Sequence, residues 1–316
     1  MADMKKSATR DAYGKALVEL GKLHDDVIVF DADLAGATKT GTFQKAFPDR
    51  FYDCGIAEGN MISVAAGIAT TGTVVFASSF AMFAAGRAFE PIRNSIGYPH
   101  LNVKIGATHA GITVGEDGAT HQCNEDIALM RTIPGMTIIN PADATEARAA
   151  VEAAIKFQGP VYMRFGRFAV PTLFDKDTYN FEIGKGVQMT EGTDVTIVAT
   201  GLMVHMAIDA AKVLAERGIS ARVINIHTIK PIDREIILKA AAETGAIVTA
   251  EEHSIIGGLG SAVSEVVCEG CPVPVVRVGV EDQYGHSGKV PPLLEMYGLT
   301  TENIVAKAEA AITLKK

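Results

Sequence analysis

The 316-residue sequence has no long apolar run and no large basic cluster, and each absence excludes a class of protein. No apolar run approaches the 18 or more residues of a membrane span, and the first ten residues lack the apolar core of a signal peptide. We therefore expect a cytoplasmic protein. Lys and Arg number 29 against 37 Asp and Glu, for a net charge of −8. This balance argues against nucleic acid or a membrane surface as partner and favours a small soluble substrate.

Cysteine is also scarce, with four residues in the chain. Only Cys268 and Cys271 have the spacing of a metal or redox pair, and a structural zinc site needs a second pair that the sequence does not contain. We therefore predict no metal site in this chain. The segment Gly257–Gly260 lacks the Lys-Ser/Thr ending of a phosphate-binding loop, so it is predicted as a tight turn between a strand and a helix.

The length exceeds the roughly 250–300 residues at which a single core usually splits, so two domains are expected. Apolar strands alternate with amphipathic helices in both halves, a pattern that predicts βαβ units. The fold class is therefore α/β, with two domains that are each built on a mainly parallel sheet flanked by helices. The periodicity fails from about Ala169 to Gly184, which places the domains at 1–170 and 191–316 with a linker at 171–190.

The order of elements follows from the periodicity. In the first domain we predict helices over 8–23, 58–70, 80–95, 125–130 and 143–157, strands over 27–30, 73–77, 101–107, 136–139 and 161–164, and loops over 35–42 and 108–120. In the second domain we predict strands over 194–199, 221–226, 246–251 and 273–278, and helices over 203–217, 233–244, 259–268 and 301–314.

Glu58 is the most unusual acid, because its neighbours in Asp53–Met61 are mostly small or apolar. A carboxyl group that apolar neighbours desolvate has a raised pKa and can donate a hydrogen bond near neutral pH. An acid at a helix N-terminus, favoured by the helix dipole, fits the same pattern equally well. The immediate surroundings leave both interpretations open.

Phe80 and Phe83 are three residues apart at a predicted helix start. Such a pair usually belongs to the core. Their place directly after a strand also allows one ring to stack on a planar heterocycle.

The long loop Thr108–Gln122 combines glycines with His109, Asp117 and His121. Glycine-rich loops that carry titratable groups are often functional. The two histidines lack the i, i+4 spacing of a helical metal pair, so proton transfer or hydroxyl recognition suits them better.

Arg10, Arg164 and Arg167 are either solvated or bind an anion. Arg164 ends an apolar strand, where a guanidinium can grip an anionic group through two hydrogen bonds.

Together these residues resemble the thiamine-diphosphate enzymes of the transketolase family. The turn Gly55–Glu58 resembles the family's turn whose glutamate bonds the aminopyrimidine ring of the cofactor, and the loop from Ala107 to Gln122 is close to the family's substrate loop. The resemblance covers nearly the whole chain and corresponds to the pyrimidine-binding and C-terminal domains of a full-length transketolase.

The resemblance implies transfer of a two-carbon ketol unit from a ketose phosphate to an aldose phosphate, a reaction of the pentose phosphate pathway. Glu58 and His121 would be catalytic. The residues that would bind the cofactor are Glu58, Asp33, Ile56, Phe80 and Phe83, and those that would bind the substrate are Arg10, His109, Asp117 and Arg164. Gly86 stands where the family often has a tyrosine, so one wall of the pyrimidine pocket departs from the family pattern. A family serine that helps to hold the phosphate is replaced near Ala37 and Thr38, so we expect an altered phosphate site.

The family holds the cofactor's diphosphate and Mg²⁺ with a Gly-Asp-Gly segment and a later Asn, and the sequence has neither. We therefore expect a separate N-terminal subunit to hold them, in an α2β2 heterotetramer that contains a dimer of this chain.

Two related enzymes are alternatives. The segment Arg164–Arg167 also resembles deoxyxylulose-phosphate synthase, over which the match at His109 favours transketolase. The other is a β subunit like those of the 2-oxo acid dehydrogenases. A non-catalytic regulatory subunit is the alternative of another class.

Overall fold

Strands and helices alternate along both halves of the chain, and the computed structural model describes residues 6–315. The elements of the first half are β1 (Lys6–Ala8), α1 (Thr9–Gly21), β2 (Val27–Asp31), α2 (Ala35–Thr38), α3 (Gly41–Ala46), β3 (Phe51–Asp53), α4 (Glu58–Ala69), β4 (Val74–Phe80), α5 (Phe89–Pro91), β5 (Val103–Thr108), α6 (Asp126–Arg131), β6 (Thr137–Ile139), α7 (Ala144–Lys156), β7 (Val161–Arg164) and β8 (Ala169–Pro171).

The second half follows the same alternation. Its elements are β9 (Val187–Thr190), β10 (Val195–Ala199), α8 (Met203–Glu216), β11 (Ala221–Asn225), β12 (Thr228–Lys230), α9 (Arg234–Thr244), β13 (Ile247–Ser254), α10 (Leu259–Gly270), β14 (Val275–Val280), α11 (Val290–Met296) and α12 (Thr301–Thr313). The predicted fold class is confirmed, since mainly parallel sheets flanked by helices form both halves.

The larger sheet has seven strands in the order β12-β6-β7-β5-β4-β2-β3. All neighbours are parallel except β12, which belongs to the second half of the sequence and pairs antiparallel with β6. Strands β4 and β5 are buried along their whole length, which explains their nearly continuous run of apolar and small residues. The carboxyl ends of β2, β4, β5 and β7 consequently lie side by side at one edge of this sheet.

The second sheet has five strands in the order β14-β13-β10-β11-β9, of which β9 alone is antiparallel. A separate pair, β1 and β8, joins the two ends of the first half. The largest apolar cluster includes Ile138 and Tyr162 of the seven-stranded sheet together with Ile224 of the second. The two sheets therefore share one continuous core.

Two helices begin at side-chain caps that the sequence predicts. The N-terminus of α7 is capped by Asp143, whose carboxylate accepts from the backbone N–H of Glu146 at 2.8 Å. Thr300 caps α12 in the same way. Both caps satisfy N–H groups that have no partner within the helix. Within residues 6–315, no helix has both the length and the hydropathy needed to cross a membrane.

The predicted loop over 35–42 was wrong, because the segment forms the short helices α2 and α3. The buried carboxylate of Asp31 organises it by accepting hydrogen bonds from the hydroxyls of Thr38 and Thr40, both at 2.7 Å, and from the backbone N–H of Leu34. A single buried acid thus orders a stretch whose composition resembles a loop.

The predicted continuous helix over 80–95 was also wrong. Strand β4 continues to Phe80, and the rest is divided into a π-helical segment at Phe83–Arg87, the short α5 and a second π-helical segment at Ile92–Gly97. Such segments are frequent at functional sites because they re-aim side chains relative to a regular helix.

Part of the predicted linker is regular structure, since β9 lies within 171–190 and pairs with β11. The periodicity did not predict β12 or α11 either. Both are short, and β12 depends on pairing with β6 from the other half of the chain. The division of the chain at 170 and 191 stays a prediction.

Candidate active site

The carboxyl edge of the seven-stranded sheet collects the ends of several strands. Asp31 of β2 lies opposite Asp53 of β3, and Phe80 of β4 lies opposite Thr108 of β5. Ligands of parallel α/β sheets bind beyond this edge. Most of the predicted site residues follow directly after these strand ends.

The turn before Glu58 is held by Asp53. Its carboxylate accepts from the backbone N–H of Asp33 at 3.0 Å and from that of Gly55 at 2.9 Å. Gly55 has φ +67°, a conformation that glycine adopts without a Cβ penalty. This arrangement brings Asp33 next to the turn and leaves the side chain of Ile56 75% exposed. Asp53 is a positioning residue that sequence reasoning missed.

Glu58 is the first residue of α4, and its side chain is 5% exposed. Its Oε1 accepts a hydrogen bond from Nη1 of Arg87 at 2.9 Å. The guanidinium carbon of Arg87 also lies 4.2 Å from the centroid of the Phe83 ring. Arg87 was not identified from the sequence, because the π-helical segment that directs it towards Glu58 was not predicted.

Four rings cluster beside Glu58 and Arg87. Phe80 stacks on His109 with centroids 3.8 Å apart and on Phe83 with centroids 5.7 Å apart. His121 meets the rings of Phe80 and Phe83 edge-on, at 6.2 and 5.3 Å. Phe80 is buried, whereas Phe83 is partly exposed. The structure therefore brings together four residues, of which Phe80 and His121 are 41 positions apart in the sequence.

The protonation of His109 follows from its neighbours. Nη1 of Arg10 lies 2.7 Å from Nε2 of His109, and since arginine can only donate, Nε2 accepts and Nδ1 carries the proton. Nδ1 then donates to the hydroxyl of Thr108 at 2.9 Å. Burial, together with the positive charges of Arg10 and Arg167, lowers the pKa of His109 to about 3. The imidazole is therefore neutral near pH 7.

Arg10 and Arg167 form the basic side of this site. Arg10 also donates to the carbonyl of Ala37 at 3.1 Å, so the altered segment near Ala37 and Thr38 lies beside it. Arg167 donates to the carbonyl of Val114 and lies 3.4 Å from the carboxylate of Asp117. Asp117 is exposed at the same edge.

The structure does not bring Arg164, which the resemblance assigns to substrate binding, to this group. Its side chain is 3% exposed, and Nε donates to both carboxylate oxygens of Asp126 at 2.9 and 3.2 Å. Nη2 donates to the carbonyls of Cys123 and Glu252. The anion that Arg164 binds is thus part of the protein, and Arg167 occupies the exposed position.

The second half of the chain holds the long loop in place. The backbone N–H of Thr113 donates to Oε1 of Glu252 on β13 at 2.8 Å. Gln122 donates to the carbonyls of Ile112 and His286 at 3.0 and 2.9 Å. Gly111 passes so close that a Cβ there would lie 2.2 Å from the Glu252 carboxylate. The loop geometry thus depends on contacts between the two sheets.

The backbone N–H groups that follow the glycine-rich turn before α10 bind a carboxylate of the protein itself. The buried carboxylate of Glu251 accepts from the N–H groups of Leu259 and Gly260 at 2.7 and 2.8 Å. The prediction of a strand-to-helix turn is confirmed. Among residues 6–315, no group of three or more His, Cys, Asp or Glu side chains is arranged to hold a metal ion.

The site fits the heterocyclic part of the cofactor that the resemblance implies. A flat ring needs an apolar surface to stack on and a hydrogen-bonding partner at its edge, and the partly exposed Phe83 and the buried carboxylate of Glu58 provide both. Ile56, two residues before Glu58, is an exposed apolar side chain. A cleft of about 780 Å³ begins at Phe83, Gly86 and Arg87.

Comparison with protein-family models gives two matches that together span most of the chain. The model described as "Transketolase, pyrimidine binding domain" matches residues 5–172, and that described as "Transketolase, C-terminal domain" matches residues 184–304.

Three individual proteins are similar to this chain over nearly their whole length. A "putative transketolase C-terminal section" of Methanocaldococcus jannaschii is 51% identical, with 94% of each chain covered. A 6-deoxy-6-sulfo-D-fructose transketolase subunit of a Clostridium species is 45% identical, with 95% of this chain and 92% of that protein covered. A solved structure described as "Split gene transketolase, inactive beta4 tetramer" is 56% identical, with a TM-score of 0.92 and coverage of 98% and 99%.

Proposed function

Because the chain belongs to the transketolase family, we propose that it is the C-terminal subunit of a split transketolase of the cytoplasmic pentose phosphate pathway. The observation that carries this proposal is the grouping of Glu58, Phe83, His109 and His121 at one edge of the seven-stranded sheet. A buried acid, a stacking surface and a neutral histidine are the groups that such a reaction requires from this half of the enzyme.

Thiamine diphosphate, when bound, supplies the electron sink for cleavage of the carbon–carbon bond, and the protein supplies orientation and electrostatics. Glu58 would hydrogen-bond the edge of the aminopyrimidine ring, and Phe83 would stack on its face. Phe80 supports Phe83 from behind, and Asp33 and Ile56 border the same turn.

The remaining groups suit a phosphorylated sugar. Arg10 and Arg167 provide two positive charges for its phosphate, and the neutral His109 contacts Arg10 on one side and Phe80 on the other. Asp117 would accept a hydrogen bond from a substrate hydroxyl, and His121, which borders Phe83, would lie beside the reacting carbons.

A separate N-terminal subunit would hold the diphosphate and Mg²⁺, and the two chains would form an α2β2 heterotetramer. The similar solved structure, described as an inactive tetramer, supports the expectation that this chain alone is inactive. The similar Clostridium protein is named for a sulfonated sugar. We propose a ketose phosphate donor, and a sugar sulfonate is the alternative at the same site.

The proposal is tested by mixing this chain with its N-terminal subunit, thiamine diphosphate and Mg²⁺, and by measuring two-carbon transfer. Xylulose phosphate, 6-deoxy-6-sulfofructose and pyruvate serve as separate donors, since pyruvate is the donor expected of a deoxyxylulose-phosphate synthase or a 2-oxo acid dehydrogenase. We expect transfer from a ketose phosphate by the pair and none by either chain alone.

Glu58→Ala in the same mixture should lower kcat about 100-fold or more, the range for a group that assists proton transfer. Glu216→Gln, an exposed acid at the end of α8, is the control and should leave the rate unchanged. Full activity of Glu58→Ala, or of this chain without a partner, would contradict the proposal.

A further inference from the structure

Arg87 makes two contacts at the centre of the candidate site. Its Nη1 donates to Oε1 of Glu58 at 2.9 Å, and its guanidinium carbon lies 4.2 Å from the centroid of Phe83. Glu58 is nearly buried, whereas the side chain of Arg87 is 54% exposed. The guanidinium therefore reaches from the surface into the site.

These two contacts are the same two that the proposed function gives to the aminopyrimidine ring. A guanidinium is planar, stacks on aromatic faces and donates hydrogen bonds in its plane. A planar group that stacks on Phe83 and also bonds Glu58 has to lie between them, which is where the guanidinium lies. A ring that uses the same carboxylate oxygen and the same face of Phe83 would therefore compete with the Arg87 side chain for this space.

We propose that Arg87 competes with the aminopyrimidine ring of the cofactor for the space between Glu58 and Phe83, and that it must move aside before the cofactor enters. This inference rests on the proposed function and concerns the regulation of the same site. Arg87 is in this sense an internal competitor of the cofactor, held by an ion pair and a cation–π contact.

The surroundings allow Arg87 to leave. Its exposed side chain starts from the π-helical segment, and the neighbouring Gly86 has no side chain to block the adjoining cleft. Glu125 and Asp282, both exposed, line that cleft and offer negative charge to the released guanidinium. The cofactor site therefore opens by a side-chain rotation into existing space, without movement of the sheet.

The competition makes a quantitative prediction. A half-exposed ion pair and a cation–π contact at a surface site are each weak, so removal of both should tighten the apparent cofactor affinity by about 5- to 30-fold. The affinity increases because the cofactor no longer has to displace the arginine side chain.

The experiment measures the dissociation constant of thiamine diphosphate by calorimetry, with Mg²⁺ and the N-terminal subunit present. Arg87→Ala should bind the cofactor about tenfold more tightly than the wild-type pair. Arg87→Lys, which keeps the charge but loses the planar stacking group, should give a smaller gain. Arg93→Ala, an exposed arginine on the next π-helical segment, is the matched control and should not change the constant.

The outcomes separate this inference from the proposed function. Equal or weaker binding by Arg87→Ala, while the wild-type pair binds cofactor, would overturn the competition and leave the proposed function intact. If the wild-type pair binds no cofactor, both fall. Arg87→Gln provides a second neutral variant in case Arg87→Ala does not fold, and it should bind more tightly than wild type.

Discussion

Two arginines three positions apart, Arg164 and Arg167, have opposite environments. Arg164 ends β7 inside the protein, where it neutralises Asp126, whereas Arg167 lies at the surface beside Arg10 and Asp117. Arg164 is the last residue of β7, and its side chain extends towards Asp126 and the carbonyl of Glu252 on the second sheet. The chain leaves the sheet after Arg164, so Arg167 lies outside it. Residue type alone therefore does not assign a role to either arginine.

Arg167→Ala should lower kcat/KM for a phosphorylated sugar by about 10- to 100-fold, the loss expected for a hydrogen bond between two charged groups. The same variant should act on a non-phosphorylated sugar at the wild-type rate, because no phosphate is bound. Steady-state kinetics of the reconstituted pair with both sugars check this. An equal loss with both sugars would contradict the assignment to the phosphate.

Arg164→Ala should instead act on folding. It leaves the buried carboxylate of Asp126 without its cation, which costs about 3–5 kcal/mol of the free energy of unfolding. Urea denaturation of the isolated chain measures the change, and Arg148→Ala, an exposed arginine on α7 with surface ion pairs, is the control with an expected loss below about 1 kcal/mol. A loss as small for Arg164→Ala as for the control would show that Asp126 does not need it.

At the scale of elements, contacts with the second half of the chain determine the conformation of the loop between β5 and α6. It contains little regular structure beyond a kinked 3₁₀ segment at Ile112–Asp117, yet it carries or adjoins three of the proposed site residues. Glu252 of β13 anchors its middle through the N–H of Thr113, and Gln122 anchors its end. A second domain thus orders a loop that belongs to the first.

Glu252→Ala should loosen this loop, because the buried N–H of Thr113 loses its acceptor at a cost of about 1–3 kcal/mol. Hydrogen exchange over residues 110–118 should become faster, and KM for the sugar should rise. Glu252→Gln is the matched control, since its amide oxygen can still accept the bond. Unchanged exchange in Glu252→Ala would show that Glu252 does not hold the loop.

At the scale of the whole molecule, one buried carboxyl joins three parts of the chain. Glu146 of α7 accepts hydrogen bonds from the hydroxyl of Tyr179 in the connecting segment, from the amide of Asn225 on β11 and from the N–H of Ala142. With the pairing of β12 and β6, this contact fixes how the two sheets sit together. Burial raises the pKa of Glu146 to about 7.

Stability should depend on pH through this group. The folded state keeps the Glu146 proton up to about pH 7, whereas the unfolded chain loses it near pH 4.5, so its contribution falls as pH rises through that window. The free energy of unfolding of wild type relative to Glu146→Gln should therefore fall by about 3 kcal/mol between pH 4.5 and pH 8. Denaturation at several pH values, with the exposed Glu216→Gln as control, tests this. A constant difference would contradict the raised pKa.

The sequence by itself determined the α/β class and indicated most residues of the candidate site. The alternation of strands and helices is local, because it depends on apolar periodicity and caps such as Asp143. The residues around Glu58 and in the loop from His109 to His121 were identified because glycines, histidines and acids are unusual in such positions. Their common place at one sheet edge follows from parallel pairing, which the alternation already predicts.

Only the tertiary structure decided which charges meet. Arg87 pairs with Glu58 because it lies on a π-helical segment that directs it there. The buried Asp31 of β2 orders α2 and α3. Asp126 forms a buried ion pair with Arg164. These contacts join residues 7 to 38 positions apart in the sequence. Their strength comes from burial, which raises the cost of an unpaired charge, and no local pattern of residues states which groups will be buried together.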